Sequence, residues 1–124
     1  MESIAAYVLG FFLLVVGSTH WLVPRYYLRL VPAWTPYPRY LVALSGAAEV
    51  IIGVLVLLPG TRSPAAWAAA ALITGYLVSH IDALVRADAA KPWILDRPAG
   101  AAARIVVNAG YIAFAVVVAM ENSR

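Results

Sequence analysis

The chain contains no cysteine and very little charge. The first absence excludes disulfides, thiol redox chemistry of the Cys-x-x-Cys kind and cysteine-ligated metal clusters. The second sets the class. Asp, Glu, Lys and Arg make up 12% of the 124 residues, while 64% are hydrophobic and the mean hydropathy is +0.85. A soluble domain of this length has too little interior to hide that much apolar surface, whereas a bilayer removes the need. The chain therefore reads as an integral membrane protein whose first partner is the lipid bilayer. Also missing are a glycine-rich phosphate loop, a nucleophile elbow and any flavin, haem or iron–sulfur motif. The basic residues behind the net charge of +3 flank apolar runs and form no dense tract. Nucleic acid is thus a poor partner, and anionic lipid headgroups are a better one.

What is present is four apolar runs, each about long enough to cross the hydrocarbon core. They cover residues 4–22, 40–58, 65–85 and 102–120. The expected fold is all-α, a four-helix transmembrane bundle forming one domain over 1–124, with both termini on the outer side. Pro59, Gly60 and Pro64 predict a tight hairpin between the second and third runs. The other two connections are longer and carry Pro24, Pro32, Pro36 and Pro38 in one, Pro92 and Pro98 in the other. The leader "MES" has no Lys or Arg, and no small-x-small site precedes "STHW". The first run is accordingly expected to be a retained helix and not a signal peptide.

Basic residues predict the orientation. Arg25, Arg29, Arg39, Arg86, Lys91, Arg97 and Arg104 fall on the side of the two long connections, against Arg62 and Arg124 on the other. The expectation is a multi-pass cell-membrane protein with its long loops in the cytoplasm. Trp21, Trp34 and Trp93 suit an aromatic belt on that side, and Trp67 suits the opposite one.

Polar groups within the apolar runs are costly in lipid unless they are paired or face a cavity. At 1.5 Å of rise per residue, Glu49 lies about 15 Å from Arg39, near the midplane. His20 lies about 6 Å from Pro24, Asn108 about 6 Å from Arg104, and His80 and Asp82 about 9 and 6 Å from Arg86. All five fall in the half of the membrane nearer the long loops, which predicts a polar pocket there. Gly46, Glu49 and Gly53 recur at helical spacing, so the carboxylate rides on a small-residue stripe that favours close helix approach. Gly10, Gly17 and Trp21 form a similar stripe beside His20. Gly75, Ser79 and Asp82 align in the third run, with Tyr76 one turn before His80; Arg104, Asn108, Tyr111 and Ala115 share a face in the fourth.

Two readings compete for these groups. In one, Glu49, His20, His80 and Asp82 do acid–base work in a pocket lined by Trp21, Tyr76, Asn108 and Tyr111. A protonated Glu49 would then donate to a ligand carbonyl or pass a proton. In the other, Glu49 is a hydrogen-bonded link between helices, Asp82 pairs with Arg86 at i+4 in headgroup water, and Asn108 only packs helices. Two His and two carboxylates at similar depth suit a metal by ligand type, but none has a metal-site spacing, so no metal is expected. The stretch "VPRYYLRLVPAWTPYPRY" interleaves Tyr, Leu and Trp with Arg, as an interfacial segment pinned by prolines would. It either covers the pocket mouth or anchors the protein.

The combination of His20, Pro24, Ser45–Gly46, Glu49, Gly53, Pro59 and Thr61–Arg62, in this order, resembles the DoxX-like family of small four-helix membrane proteins. The resemblance covers roughly residues 10 to 85. It implies a four-helix bundle in which His20 and Glu49 occupy the family's polar positions. Its members include a subunit of a thiosulfate:quinone oxidoreductase and proteins linked to membrane oxidoreductase complexes. A distant animal relative assists receptor assembly, so the fold alone does not imply the activity. Val78, Ser79, His80 and Asp82 depart from the Pro-Ala-Asn end common in the third span of such proteins. The resulting expectation is a lipophilic ligand, foremost a quinone, in a subunit that takes electrons from a redox partner protein. A self-sufficient acid–base enzyme of isomerase or hydrolase type, an assembly scaffold, and a homo-oligomer remain open.

Overall fold

The structure, a computed structural model, describes residues 4–123. The "MES" leader and Arg124 lie outside the described residues. Helix α1 spans Ile4–Leu22, α2 Pro24–Leu28, α3 Pro38–Leu57, α4 Arg62–Val85 and α5 Pro98–Glu121. One-turn 3-10 segments cover Pro59–Thr61 and Ile94–Asp96. No strand occurs among the described residues. The helices α1, α3, α4 and α5 are each long and apolar enough to cross a membrane, and the protein is an all-α, multi-pass membrane protein. The physical reason is that a backbone in lipid must satisfy its hydrogen bonds within its own segment.

Proline opens three of the helices that begin earlier or differently than the apolar runs alone indicate. Pro24, Pro38 and Pro98 each sit in the first turn of a helix. The missing N–H of proline is an orphan at that position in any case, and its φ suits a helix start. Thus α5 starts at Pro98, ahead of the apolar run, and Arg104 lies in its second turn instead of at its start. Tyr37, between Pro36 and Pro38, takes up a left-handed conformation (φ 53°) where the loop turns into α3. That conformation is strained for a residue with a Cβ.

Helix α1 packs antiparallel on α3, and α4 on α5; the two pairs meet mainly through α3 and α4. The predicted glycine stripes are the contact line of the first pair. A Cβ built on Gly46 would lie 2.6 Å from the His20 Cβ and 2.9 Å from the Gly17 carbonyl oxygen. One built on Gly53 would lie 2.9 Å from the Gly10 carbonyl oxygen. Only glycine permits that approach.

The bundle is tight at one end and hollow at the other. Near the α3–α4 hairpin, Leu9, Leu13, Val56, Val118 and a set of alanines from α4 and α5 form the buried apolar core. Here Arg62 is also buried, donating from Nε to the Val56 carbonyl at 2.8 Å and from Nη2 to the Leu57 carbonyl at 2.9 Å. Thr61 adds a bond to the Leu55 carbonyl at 2.7 Å. These bonds satisfy the last carbonyls of α3, which no intrahelical partner reaches. At the other end the long connections pack on each other, with the Arg29 guanidinium 3.6 Å from the centre of the Trp93 ring.

Candidate functional site

The hollow end holds a cavity of about 780 Å³, within the ~300–1,000 Å³ usual for small-molecule sites. All four long helices line it, and so does the segment from Tyr26 to Thr35, which forms one of its walls. The lining is overwhelmingly apolar, with two groups of buried polar side chains set into it.

The first group is centred on Glu49, which is 2% exposed. Tyr76 of α4 donates its hydroxyl to Glu49 Oε2 at 2.5 Å, and His20 Nε2 of α1 lies 3.2 Å from the same oxygen. His20 Nδ1 is 2.9 Å from the Val16 carbonyl. A carbonyl only accepts, so Nδ1 carries a hydrogen and Nε2 is the nitrogen turned to the carboxyl group. A hydrogen bond at the Glu49–His20 contact takes one proton between the two groups. Either a neutral carboxylic acid donates to Nε2, or an imidazolium donates to a carboxylate. A single proton held between an acid and a base on a cavity wall is the elementary unit of proton exchange.

Tyr27 of α2 stacks on the His20 ring, with centroids 3.8 Å apart. Its hydroxyl meets Thr19 Oγ1 at 2.5 Å, and Thr19 itself donates to the Val16 carbonyl at 2.5 Å. The one hydroxyl hydrogen of Thr19 is thereby used, so Tyr27 must be the donor of that pair. Burial pushes the Tyr27 phenol above its ordinary pKa, which outweighs the opposing bond to Thr19 and keeps the donor protonated. The stack and the two Val16 bonds leave the imidazole little freedom to rotate.

The second group joins α4 to α5. Arg104 donates from Nε to His80 Nδ1 at 3.0 Å and from Nη2 to Ser79 Oγ at 3.2 Å. Ser79 passes its own hydrogen to the Leu30 carbonyl of the wall segment. Since His80 Nδ1 accepts, this imidazole is neutral with its hydrogen on Nε2. Asn108 Nδ2 donates to the Arg104 carbonyl at 2.7 Å.

The sequence-derived candidates therefore divide. Glu49, His20 and Tyr76 come together. His80 and Asn108 line the same cavity but belong to the Arg104 group. Tyr111 lines it too, its ring 4.9 Å from that of Phe12. Asp82 lies off the cavity, accepting from Arg86 Nε at 3.0 Å and from Trp34 Nε1 at 3.1 Å. Two residues after His80 on one helix, it turns to another face. Trp21 also lies off the cavity, half-exposed, with its indole bonded to the Ala43 carbonyl at 3.1 Å. Sequence reasoning missed Arg104, Ser79 and Tyr27 as site residues. Arg104 had one usable signal, its place one turn before Asn108 on the face shared with Tyr111. Among the described residues, no three His, Asp or Glu side chains group as metal ligands.

Residues 9–119 match the family described as "Domain of unknown function (DUF8561)". The chain belongs to that family. This match corrects the resemblance to the DoxX-like family, since it runs through the whole stretch that carried the resemblance and lies elsewhere. The shared features have a general physical origin. Glycines flanking a buried carboxyl group and proline-bounded turns are what close packing asks of any small bundle in lipid. No curated protein and no solved structure matches the chain.

Proposed function

We propose that the protein binds a lipophilic small molecule in the cavity, with an oxygen of the ligand set against the Glu49–His20–Tyr76 group. The observation that carries this reading is the close approach of Glu49 and His20, 3.2 Å apart, on the wall of a largely apolar cavity of ligand size. A purely structural pair would be better placed in the tight end of the bundle, where no cavity needs to be kept open. The apolar wall supplies affinity by burial, and the pair supplies a proton donor or acceptor.

A quinone is one such ligand. A protonated Glu49 can donate to one of the quinone's ring carbonyls, as the Tyr76 hydroxyl cannot while its one hydrogen goes to Glu49. In that version the protein is a subunit of a membrane oxidoreductase system, and its electrons come from a partner protein. An acid–base enzyme acting on a hydrophobic substrate uses the same pair, and turnover by the purified protein without a redox partner distinguishes it.

Native mass spectrometry of gently purified protein tests the binding reading. Wild type is expected to carry a co-purified lipophile whose occupancy falls about tenfold in Glu49→Gln, as the loss of a hydrogen bond to an ionisable group implies. Equal occupancy in the two proteins, or none in either, would overturn it.

We also place the protein in the cell membrane with both long loops in the cytoplasm. The support is that Arg25, Arg29, Arg39, Arg86, Lys91 and Arg97 are exposed at one end of the bundle. Because the chain has no cysteine, a single Asp88→Cys is expected to resist a membrane-impermeant maleimide in intact cells and react after lysis. Reaction in intact cells would reverse the orientation.

A further inference from the structure

No carboxylate among the described residues lies at ion-pair distance from Arg104. Its residue is 8% exposed and lines the cavity. A guanidinium offers five N–H donors. Nε is used by His80 and one Nη2 hydrogen by Ser79, while the other Nη2 hydrogen and both on Nη1 find no acceptor among the described residues. No carboxylate among the described residues pairs with it. Asp82 is taken up by Arg86 and Trp34, and Asp96 sits in the neighbouring 3-10 segment without an ion pair. A buried cation left this way is costly, and the free donors mark where an anion belongs.

We propose that Arg104 receives a carboxylate, which makes the ligand of the cavity a lipophilic carboxylic acid. This inference rests on the reading of the cavity as a ligand site and names the chemical class it takes. With Nε occupied, the Nη1 and Nη2 edge remains, and two parallel N–H groups there match the two oxygens of a carboxylate. One cation balances one monoanion. A phosphate monoester would bring a second negative charge close to Asp82 and Asp96. A neutral quinone or alcohol would bring no anionic oxygen to those open donors.

The placement agrees with this chemistry. Arg104 lies about 9 Å into α5 from Pro98, just inside the end of the bundle where the loops gather. The apolar side chains of Phe12, Leu13 and Leu72 line the same cavity. An acid bound with its head at Arg104 and its tail among them has the same polarity as the lipids around it. Arg104 also touches the wall segment through Ser79, whose hydrogen goes to Leu30, so the head group binds beside the segment that closes the site.

The test compares palmitate with 1-hexadecanol, equal in chain length but neutral, on delipidated protein by native mass spectrometry. Wild type is expected to hold palmitate at least about tenfold more tightly than the alcohol, as a charge-assisted bidentate contact implies. Arg104→Gln is expected to lose that preference by weakening palmitate alone. Arg104→Lys keeps the charge without the fork and is expected to retain part of it. Because the wild-type preference needs no variant, misfolding of Arg104→Gln leaves the test intact. Equal affinity for acid and alcohol, or unchanged palmitate binding by a folded Arg104→Gln, would overturn the assignment. If both probes bind equally and both are lost in Glu49→Gln, the acid falls while the ligand site stands. Binding of neither probe also overturns the acid, and the co-purified lipophile then decides the ligand site separately.

Discussion

Gly46→Leu is expected to force α1 away from α3 and to cost the bundle most of its stability. A Cβ at this position meets the His20 Cβ at 2.6 Å and the Gly17 carbonyl oxygen at 2.9 Å. Neither is the free end of a flexible side chain. One is the stem of a residue held by its ring, and the other is backbone. Relief therefore requires the two helices to separate along the line where both glycine stripes meet. Overpacking of this kind costs about 1–3 kcal/mol and occasionally more, and leucine at a backbone contact belongs at the upper end. Separation also breaks the site, because His20 sits directly on Gly46. Gly75→Ala and Gly110→Ala provide the contrast. A Cβ at either meets nothing within 4 Å, and replacing glycine inside a helix by alanine lowers the backbone entropy cost of folding. Both are expected to be neutral or slightly stabilising. Thermal unfolding in detergent, followed by helix circular dichroism, checks all three. A Gly46→Leu protein that melts like wild type would show that the helices are not held this closely.

The second large effect concerns the Glu49–His20 pair. Glu49→Leu leaves the Tyr76 hydroxyl and His20 Nε2 without their acceptor or donor in a buried place. His20→Leu leaves Glu49 with Tyr76 alone. Each single change is expected to destabilise the protein by about 1–3 kcal/mol, the cost of a stranded buried polar group. The double variant is expected to lose clearly less than the sum, because replacing both partners removes the need for either. A coupling of about 0.5–3 kcal/mol is the anticipated size for side chains in contact. The same double variant is expected to bind no ligand at the Glu49 site. It thus separates stability, which it partly recovers, from binding, which it does not. Additive losses would mean that the two side chains do not interact, and the proton-sharing description would fall.

Much of this arrangement was legible in the sequence, for reasons that can be stated residue by residue. Helical spacing put Gly46, Glu49 and Gly53 on one face, and a face of glycines has to meet another helix closely. That turned the carboxyl group inward before any neighbour was known. Tyr76 was placed one turn before His80 by the same periodicity. Spacing along one helix says nothing, however, about which helix stands opposite. His20 and His80 lay at similar depth, and only the pairing of α1 with α3 and α4 with α5 made His20 the partner of Glu49. Asp82 was nearly as deep as His80, but the rotation of α4 turned it toward Trp34 and Arg86. Arg104 was counted among the charges that set the orientation because it stands at the very start of the apolar run 102–120. The structure starts α5 at Pro98 and carries the guanidinium inside.

The sequence by itself determined that this is a multi-pass helical membrane protein with polar groups gathered in one half of its bundle. Each apolar run must close its own backbone hydrogen bonds in lipid, and that requirement is local. Only the tertiary structure decided that the polar groups form two separate stations on one cavity, one joining Glu49 to His20 and Tyr76 and the other holding the buried Arg104 against His80 and Ser79. Those outcomes depend on the rotation and neighbour of each helix, which arise from contacts between residues far apart in the chain, such as Glu49 with Tyr76 and His80 with Arg104.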